Sequence, residues 1–372
     1  MEYRFIITGG GTSGHINPAL TIADTLIKFY ESRGDSCRCI FTGRKDKLEG
    51  ELVPKAGYEF HHVDAEPFPM KPSGQLVRAV KAMPKGRKVC SVLIEEFMPA
   101  AVITTGGYSS VPLLLEAQRH KIPVMIHEAN AFPGRANRQF GKKAALVMTG
   151  FPGTEGYFAR AAKVVYTGNP VRDMMFTKER NACRDALGLS SEDKMVFIMG
   201  GSLGAATLTG FAREALNSGR FNNVKFVLSC GKQHESEFNK LSDSYPNLDA
   251  RSYIDDPGTY MAAADCCILR AGAITCAEVC AIGCCSVLVP YPYAAHDHQT
   301  YNAKSILDKG GCEMMSDDDV KAGHLIPLLE SLLNDRAKQD SLRRGSKSMA
   351  MPDTSAIIAE SINEVVQWTT KN

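Results

Sequence analysis

Short runs of β-branched and apolar residues alternate with longer segments whose apolar positions recur every three to four residues. Phe5-Ile6-Ile7-Thr8 reads as a strand. Beyond a glycine cluster at 9–14, Ala19, Ile22, Ala23, Leu26, Ile27 and Tyr30 fall at i, i+3, i+4, i+7, i+8 and i+11, the spacing of one helical face. Strand-like runs recur at 39–42, 101–104, 124–126, 146–148 and 164–167. Gly168-Asn169-Pro170 then interrupts, and the pattern restarts. Residues 195–199 read as a strand, 200–204 as a Gly-rich loop, and Leu208, Phe211, Ala212, Ala215 and Leu216 as the buried stripe of the next helix. Strands separated by helical stretches imply parallel sheets layered with helices. A strand, a glycine loop and a helix open both halves, so the pattern predicts an α/β protein of two Rossmann-like domains, 1–167 and 168–352. The amphipathic stretch 355–368, with Ile358, Ile362, Val365 and Val366 on one side, predicts that the segment 353–372 packs back on the first domain.

Composition narrows the class. The 372 residues exceed what one core comfortably holds, and 44% hydrophobic with 23% charged residues excludes a disordered chain. Lys and Arg (43) nearly balance Asp and Glu (41), so no global field recruits nucleic acid or a membrane, and an anionic surface would have to meet a local patch. Residues 279–295 carry no charge, but Gly283, Pro290 and Pro292 interrupt them and they fall short of the ~20 residues of a membrane span. The apolar start, 5–7, is too short for a signal-peptide core. The expectation is a cytoplasmic protein. None of the 12 cysteines sits in a C-x-x-C pair. Cys276, Cys280 and Cys284 could converge as thiolates on one helical face, but small buried hydrophobes share that spacing, and reduced structural thiols are expected.

The glycines carry the chemistry. Gly9-Gly10-Gly11-Thr12-Ser13-Gly14 matches G-x-G-x-x-G between a strand and a helix, where the backbone can approach an anion and the helix N-terminus offers N–H groups. A dinucleotide site expects an acidic residue at the end of the second strand. Here Arg44 stands there and would suit a 2′-phosphate, so this motif alone leaves dinucleotides and other phosphate ligands open. Two further glycine loops, Gly106-Gly107-Tyr108 and Gly200-Gly201-Ser202-Leu203-Gly204-Ala205, bring the number to three across two domains. That arrangement suits two ligands that each carry a diphosphate: a nucleotide-activated donor and a phosphorylated acceptor. Asp317-Asp318-Asp319 is a formal D-x-D, but acidic residues in a first helical turn after Ser316 are favoured by the helix dipole alone. His296-Asp297-His298 could chelate. No metal is required by the sequence.

Between Glu66 and Glu95 there is no acidic residue, while Lys71, Arg78, Lys81, Lys85, Arg87 and Lys88 are positive, with Leu76, Val77, Val80 and Met83 beside them. A basic amphipathic segment suits an anionic lipid surface, although a solvated charged face reads the same way. Pro84 and Gly86 predict two short helical pieces here.

The run Gly10-Gly11-Thr12-Ser13-Gly14-His15-Ile16-Asn17-Pro18-Ala19-Leu20 resembles the first loop of the MurG family, transferases that add N-acetylglucosamine to undecaprenyl-pyrophosphoryl-MurNAc-pentapeptide in peptidoglycan synthesis. Gly106-Gly107-Tyr108 is similar to the family's second loop and Gly200 to Ala205 to its third. Pro123 to Asn130, Gly168 to Arg172, Ile254-Asp255-Asp256, Arg270 to Thr275 with Glu278, and His298-Gln299-Thr300 follow in family order. Ala129 stands where the family usually has Gln. The resemblance implies a GT-B fold, two Rossmann-like domains facing a cleft, with acceptor on the N-terminal domain and donor on the C-terminal one. It implies inverting transfer from UDP-GlcNAc to a lipid-linked muramyl-pentapeptide, with no cofactor, at the inner face of the plasma membrane.

Residue by residue, it implies Gly10, Gly11, Gly106, Gly107 and Tyr108 on the acceptor. Thr12, Ser13, Gly14 and Asn130 would reach the donor. Gly201, Ser202, Gly204 and Arg172 would meet the UDP phosphates, the Ile254 backbone the uracil, Glu278 the ribose, and Gln299 with Asn130 the sugar. His15, at a helix N-terminus that disfavours imidazolium, is the expected general base, with acceptor-phosphate binding or helix capping as its other reading. Glu128 is the second candidate base, and His127 reads as a packed strand-end residue. Another glycolipid transferase, a UDP-GlcNAc 2-epimerase and a non-catalytic nucleotide-sugar-binding module remain as alternatives.

Overall fold

The computed structural model of the chain describes residues 1–69, 71, 73–201 and 205–371. It divides into two units, Met1–Pro170 with Asp353–Asn372, and Val171–Pro352.

In the first unit β1 (Glu2–Gly9), β2 (Ser36–Gly43), β3 (Glu59–His62), β4 (Ala101–Gly106), β5 (Val124–Glu128), β6 (Leu146–Thr149) and β7 (Val164–Tyr166) form one parallel sheet. Its order is β3-β2-β1-β4-β5-β6-β7. Helices α1 (Ser13–Glu31), α2 (Glu49–Lys55), α3 (Gly74–Phe97), α4 (Val111–Arg119) and α5 (Arg135–Gly141) connect the strands. With helices on both faces, β1 from Phe5 onward and all of β4 are buried, so they read as continuous apolar runs rather than alternating ones.

On one face Ile22, Leu26 and Tyr30 of α1 share a core with Ile358, Ile362 and Val366 of the last helix. On the other, Cys90, Leu93 and Phe97 of α3 and Leu113 and Leu114 of α4 cover Ile6, Val102 and Ile126. The α3 segment is one continuous helix, not the two pieces that Pro84 and Gly86 predicted. Pro84 costs one backbone hydrogen bond, while the helix gains a buried stripe from Ala79 through Phe97. Gly86 belongs to that stripe because the Asp64 carbonyl lies where its Cβ would be.

In the second unit β8 (Lys194–Met199), β9 (Val224–Ser229), β10 (Leu248–Arg251), β11 (Cys266–Leu269), β12 (Ser286–Leu288) and β13 (Glu313–Met314) form a parallel sheet in the order β10-β9-β8-β11-β12-β13. Its helices are α6 (Arg180–Ala186), α7 (Ala206–Asn217), α8 (Glu235–Ser244), α9 (Pro257–Ala263) and α10 (Ala273–Ile282), then α11 (His298–Leu307), α12 (Asp317–Lys321), α13 (Leu325–Asn334) and α14 (Arg336–Lys347). The last helix, α15 (Thr354–Lys371), belongs to the first unit.

Both sheets are Rossmann-like, and each reverses its strand order once: between β1 and β4, and between β8 and β11. Ligands of such sheets bind at the strand C-termini beside that reversal. All cysteines are free thiols, and all but Cys37 are buried. Burial pushes the Cys280 thiol up to about 12 and Cys276 also upward, which keeps both protonated.

Candidate functional site

In the first unit the reversal point is built by glycine. The β1–β4 register shifts after Thr8, so Gly9 faces Gly106, and the Gly10 N–H donates to the Gly106 carbonyl at 3.4 Å. Gly107 has φ 94°, and a Cβ on it would strike the Gly10 carbonyl, so the two loops meet only because both lack side chains. Tyr108 sits beside Gly11, where a Cβ would come 3.6 Å from the phenol ring. Thr12, the N-cap of α1, makes no side-chain cap, so the positive end of the helix opens at Ser13 and Gly14.

His15 lies in the first turn of α1, half-buried. Its Nδ1 is 2.9 Å from the Thr105 carbonyl oxygen, and Thr105 Oγ1 donates to the His15 carbonyl at 2.7 Å. A carbonyl only accepts, so in the neutral ring Nδ1 carries the proton and Nε2 the lone pair. His127 is buried at the end of β5 with Nε2 3.2 Å from the Gly168 carbonyl, and desolvation lowers its pKa to about 4. It is neutral at physiological pH.

Glu128 is 1% exposed. Its Oε1 accepts from the Asn130 backbone N–H at 2.9 Å and from Asn130 Nδ2 at 3.2 Å, and its Oε2 from the Gly134 N–H and from Asn137 Nδ2, both at 2.9 Å. Four donors on one carboxylate make it the organiser of the 129–134 loop and of its junction with α5. Ala129 is buried, and its carbonyl accepts from Asn169 Nδ2 at 2.9 Å. Two contributors were not legible in the sequence. Glu49 is buried and accepts from the Gly11 N–H at 3.0 Å. The Asn137 amide and the His15 ring both border Gly106, where a Cβ would lie 3.1 Å from Asn137 Nδ2 and 3.2 Å from His15 Cε1. Arg44 is spent on Asp46 and Glu66, at 2.6 and 2.5 Å, rather than presented to a phosphate.

In the second unit β8 ends at Met199, and Gly201, at φ 89°, enters the third loop. Ser202 and Gly204 lie outside the described residues; α7 begins at Ala206. Ile254 is buried between β10 and α9. Glu278 projects from α10, half-buried; desolvation raises its pKa to about 7, with the charge of Arg172 pulling the other way. Arg172 itself is exposed. Gln299, in the first turn of α11, accepts from the Tyr291 N–H at 2.9 Å, which leaves its Nε2 as the atom that can donate outward. Just before it His296 and Asp297 hold φ 56° and 55°, and Thr300 Oγ1 donates to Asp297 Oδ1 at 2.7 Å. Two consecutive non-glycine residues in that region store strain, which concentrates at ligand sites. Ser316 Oγ accepts from the Asp319 N–H at 3.0 Å, while Asp317 turns inward to Arg270.

Residues 5–149 match the family model of the glycosyltransferase family 28 N-terminal domain, and residues 195–357 that of the family 28 C-terminal domain. The UDP-N-acetylglucosamine–N-acetylmuramyl-(pentapeptide) pyrophosphoryl-undecaprenol N-acetylglucosamine transferase of Acetivibrio thermocellus is 34% identical over 98% of either chain. The crystal structure of Acinetobacter baumannii MurG is 26% identical with a TM-score of 0.78, covering 97% of this chain and 99% of that one. A UDP-GlcNAc 2-epimerase from Neisseria meningitidis, solved with UDP-GlcNAc, is 14% identical with a TM-score of 0.68 over 98% of this chain and all (100%) of its own, and shares the fold.

Proposed function

The chain belongs to glycosyltransferase family 28, and on that premise we propose that it moves GlcNAc from UDP-GlcNAc to undecaprenyl-pyrophosphoryl-MurNAc-pentapeptide, turning lipid I into lipid II in peptidoglycan synthesis. The observation that carries the reading is identity of about a third with a transferase of that specificity over nearly the whole of both chains. The geometry supplies a chemistry that fits it. The acceptor diphosphate rests against the Gly10–Gly11 and Gly106–Gly107 backbones, and His15 Nε2 takes the proton of the attacking sugar hydroxyl. The new bond forms from that oxygen to C1 of GlcNAc as the bond from C1 to the UDP oxygen breaks, which inverts the anomeric centre. The positive end of α7 and the guanidinium of Arg172 stabilise the departing diphosphate. Glu278 holds the ribose, the Ile254 backbone the uracil, and Gln299 Nε2 the sugar. Glu128, with four donors already on it, serves as positioning residue rather than base.

Negative charge on the leaving group is met by these groups, so the reading requires no metal ion or other cofactor. UDP release is expected only when the lipid acceptor is added, and it is expected to persist in EDTA. Conversion of UDP-GlcNAc without acceptor would make the chain an epimerase. Binding with no conversion in either case would make it a nucleotide-sugar-binding module.

The lipid acceptor calls for a membrane-facing surface, and α3 fits one. Among the described residues no helix is long and apolar enough to cross a membrane. On α3, Arg78, Lys81, Lys85 and Lys88 are exposed together with Val77 and Val80, 54% and 57% exposed, and Val89 and Val92. Leu76 and Met83, grouped with the apolar face in the sequence, are half-buried, and Arg87 is tied to the buried Glu116 at 2.5 Å. Each exposed cation contributes ~1 kcal/mol near an anionic surface, which supports peripheral attachment on the inner face of the plasma membrane. Changing Arg78, Lys81, Lys85 and Lys88 together to Gln is expected to cut co-sedimentation with anionic vesicles and flatten its salt dependence. Turnover of a short-chain, water-soluble acceptor should persist. Sedimentation equal to wild type would make α3 a solvated face only.

A further inference from the structure

Arg270 follows β11 and Asp317 opens α12, and both are buried, 8% and 6% exposed. Arg270 Nη1 stands 2.6 Å from Asp317 Oδ1, and it donates to the carbonyl oxygens of Val289 and Pro290, just past β12, at 3.2 and 3.1 Å. Asp317 Oδ2 accepts from Thr207 Oγ1, in the first turn of α7, at 2.7 Å. Lys321 Nζ lies 2.9 Å from the same oxygen. Desolvation opposes the charge on Asp317, but Thr207, Lys321 and Arg270 outweigh it and hold the carboxyl below its usual range.

None of these side chains takes part in the reaction above, yet each stands at the root of a donor segment. Thr207 follows the third glycine loop. Arg270 leads into α10, which carries Glu278. Val289 and Pro290 lead into the 291–299 stretch that ends on Gln299. A buried ion pair adds little net stability over apolar side chains of the same volume, so stability alone does not account for this one. What it does supply is fixed separation between three strand-to-helix crossings at the C-terminal ends of the neighbouring strands β8, β11 and β12, which apolar packing would let slide.

We propose that Asp317, acting through Arg270 and Thr207, is a positioning residue for the nucleotide-sugar donor, holding the three segments so that diphosphate, ribose and sugar are met together. This rests on the reading of the Val171–Pro352 unit as the donor domain. Asp265 is the internal control. It pairs with Arg180 at 2.6 Å and Arg184 at 3.5 Å immediately before β11, at the other end of that strand.

The test compares Asp317→Ala, Asp317→Asn, Thr207→Val and Asp265→Asn. UDP affinity is read by calorimetry, KM for donor and acceptor by kinetics, and Tm by calorimetric scanning. Asp317→Ala is expected to weaken UDP binding ~10-fold or more and raise the donor KM likewise, since small misplacement at a site costs that much. The acceptor KM should stay put. Asp317→Asn should do less, Thr207→Val alone should weaken UDP binding in the same direction, and in a double variant with Asp317→Ala it should add almost nothing. Asp265→Asn should lower Tm and leave UDP affinity alone. Wild-type UDP affinity in Asp317→Ala would overturn the proposal, as would equal loss of affinity in Asp265→Asn. Should Asp317→Ala fail to fold, Asp317→Asn and Thr207→Val decide it on the same readout. A wild-type protein that binds UDP yet never forms UDP from UDP-GlcNAc when acceptor is added would overturn the transferase reading while leaving the UDP affinities to judge Asp317.

Discussion

His15→Ala is expected to lower kcat by ~10²-fold or more, the scale on which a general base contributes, with UDP-GlcNAc affinity near wild type. The Thr105 carbonyl fixes the tautomer, so the neutral His15 ring carries its lone pair on Nε2. That distinguishes it from the two neighbouring candidates. His127 is buried with its remaining proton directed at Gly168, and Glu128 is saturated by backbone and amide donors. Single-turnover rates with saturating acceptor give the clean measurement. Unchanged turnover would end the assignment of the base. A rise in acceptor KM at constant kcat would instead make His15 a phosphate ligand.

Glu278 gives the second large effect, through pH as well as binding. Glu278→Ala should weaken UDP and UDP-GlcNAc alike, because both lose the ribose contact, whereas Gln299→Ala should weaken the sugar nucleotide far more than UDP. Normal calorimetric binding of both ligands by both variants would remove the donor from the second unit. The folded pKa of Glu278 is about 7 against an ordinary 4.5, from desolvation partly offset by Arg172. A carboxyl raised in this way favours the folded state below pH 4.5, where it is protonated in both states. That advantage is lost as the pH rises through 7, because the unfolded chain ionises first. At ~1.4 kcal/mol per unit the difference reaches at most ~3.5 kcal/mol. Glu278→Gln should therefore match wild type near pH 4.5 and exceed it in Tm at pH 8, with the gap opening between those values. A pH-independent gap would mean that the carboxyl is not perturbed. In wild type UDP should bind more tightly as the pH rises past 7, because the ribose hydroxyls donate to the ionised form, and Glu278→Gln should flatten that component.

Residue spacing alone determined the α/β class, the glycine loops and which faces of α1 and α7 are buried. Those features depend on neighbours within a turn or a strand, and local sequence records them. The same locality misread α3. Pro84 and Gly86 are helix breakers by propensity, but a Cys90–Leu93–Phe97 core and the close approach of the Asp64 carbonyl decided for one helix. The glycine loops were legible in the sequence, whereas the contacts that hold the first two in place were not. Glu49 reaches Gly11 across 38 positions and the Thr105 carbonyl reaches His15 across 90, so no periodicity carries them. Asp317 shows the limit most clearly. In the sequence it is one of three aspartates in a helix's first turn, where the dipole accounts for all of them equally. Only the fold turns that one inward, because the end of β11 delivers Arg270 there and an unpaired buried guanidinium would be costly.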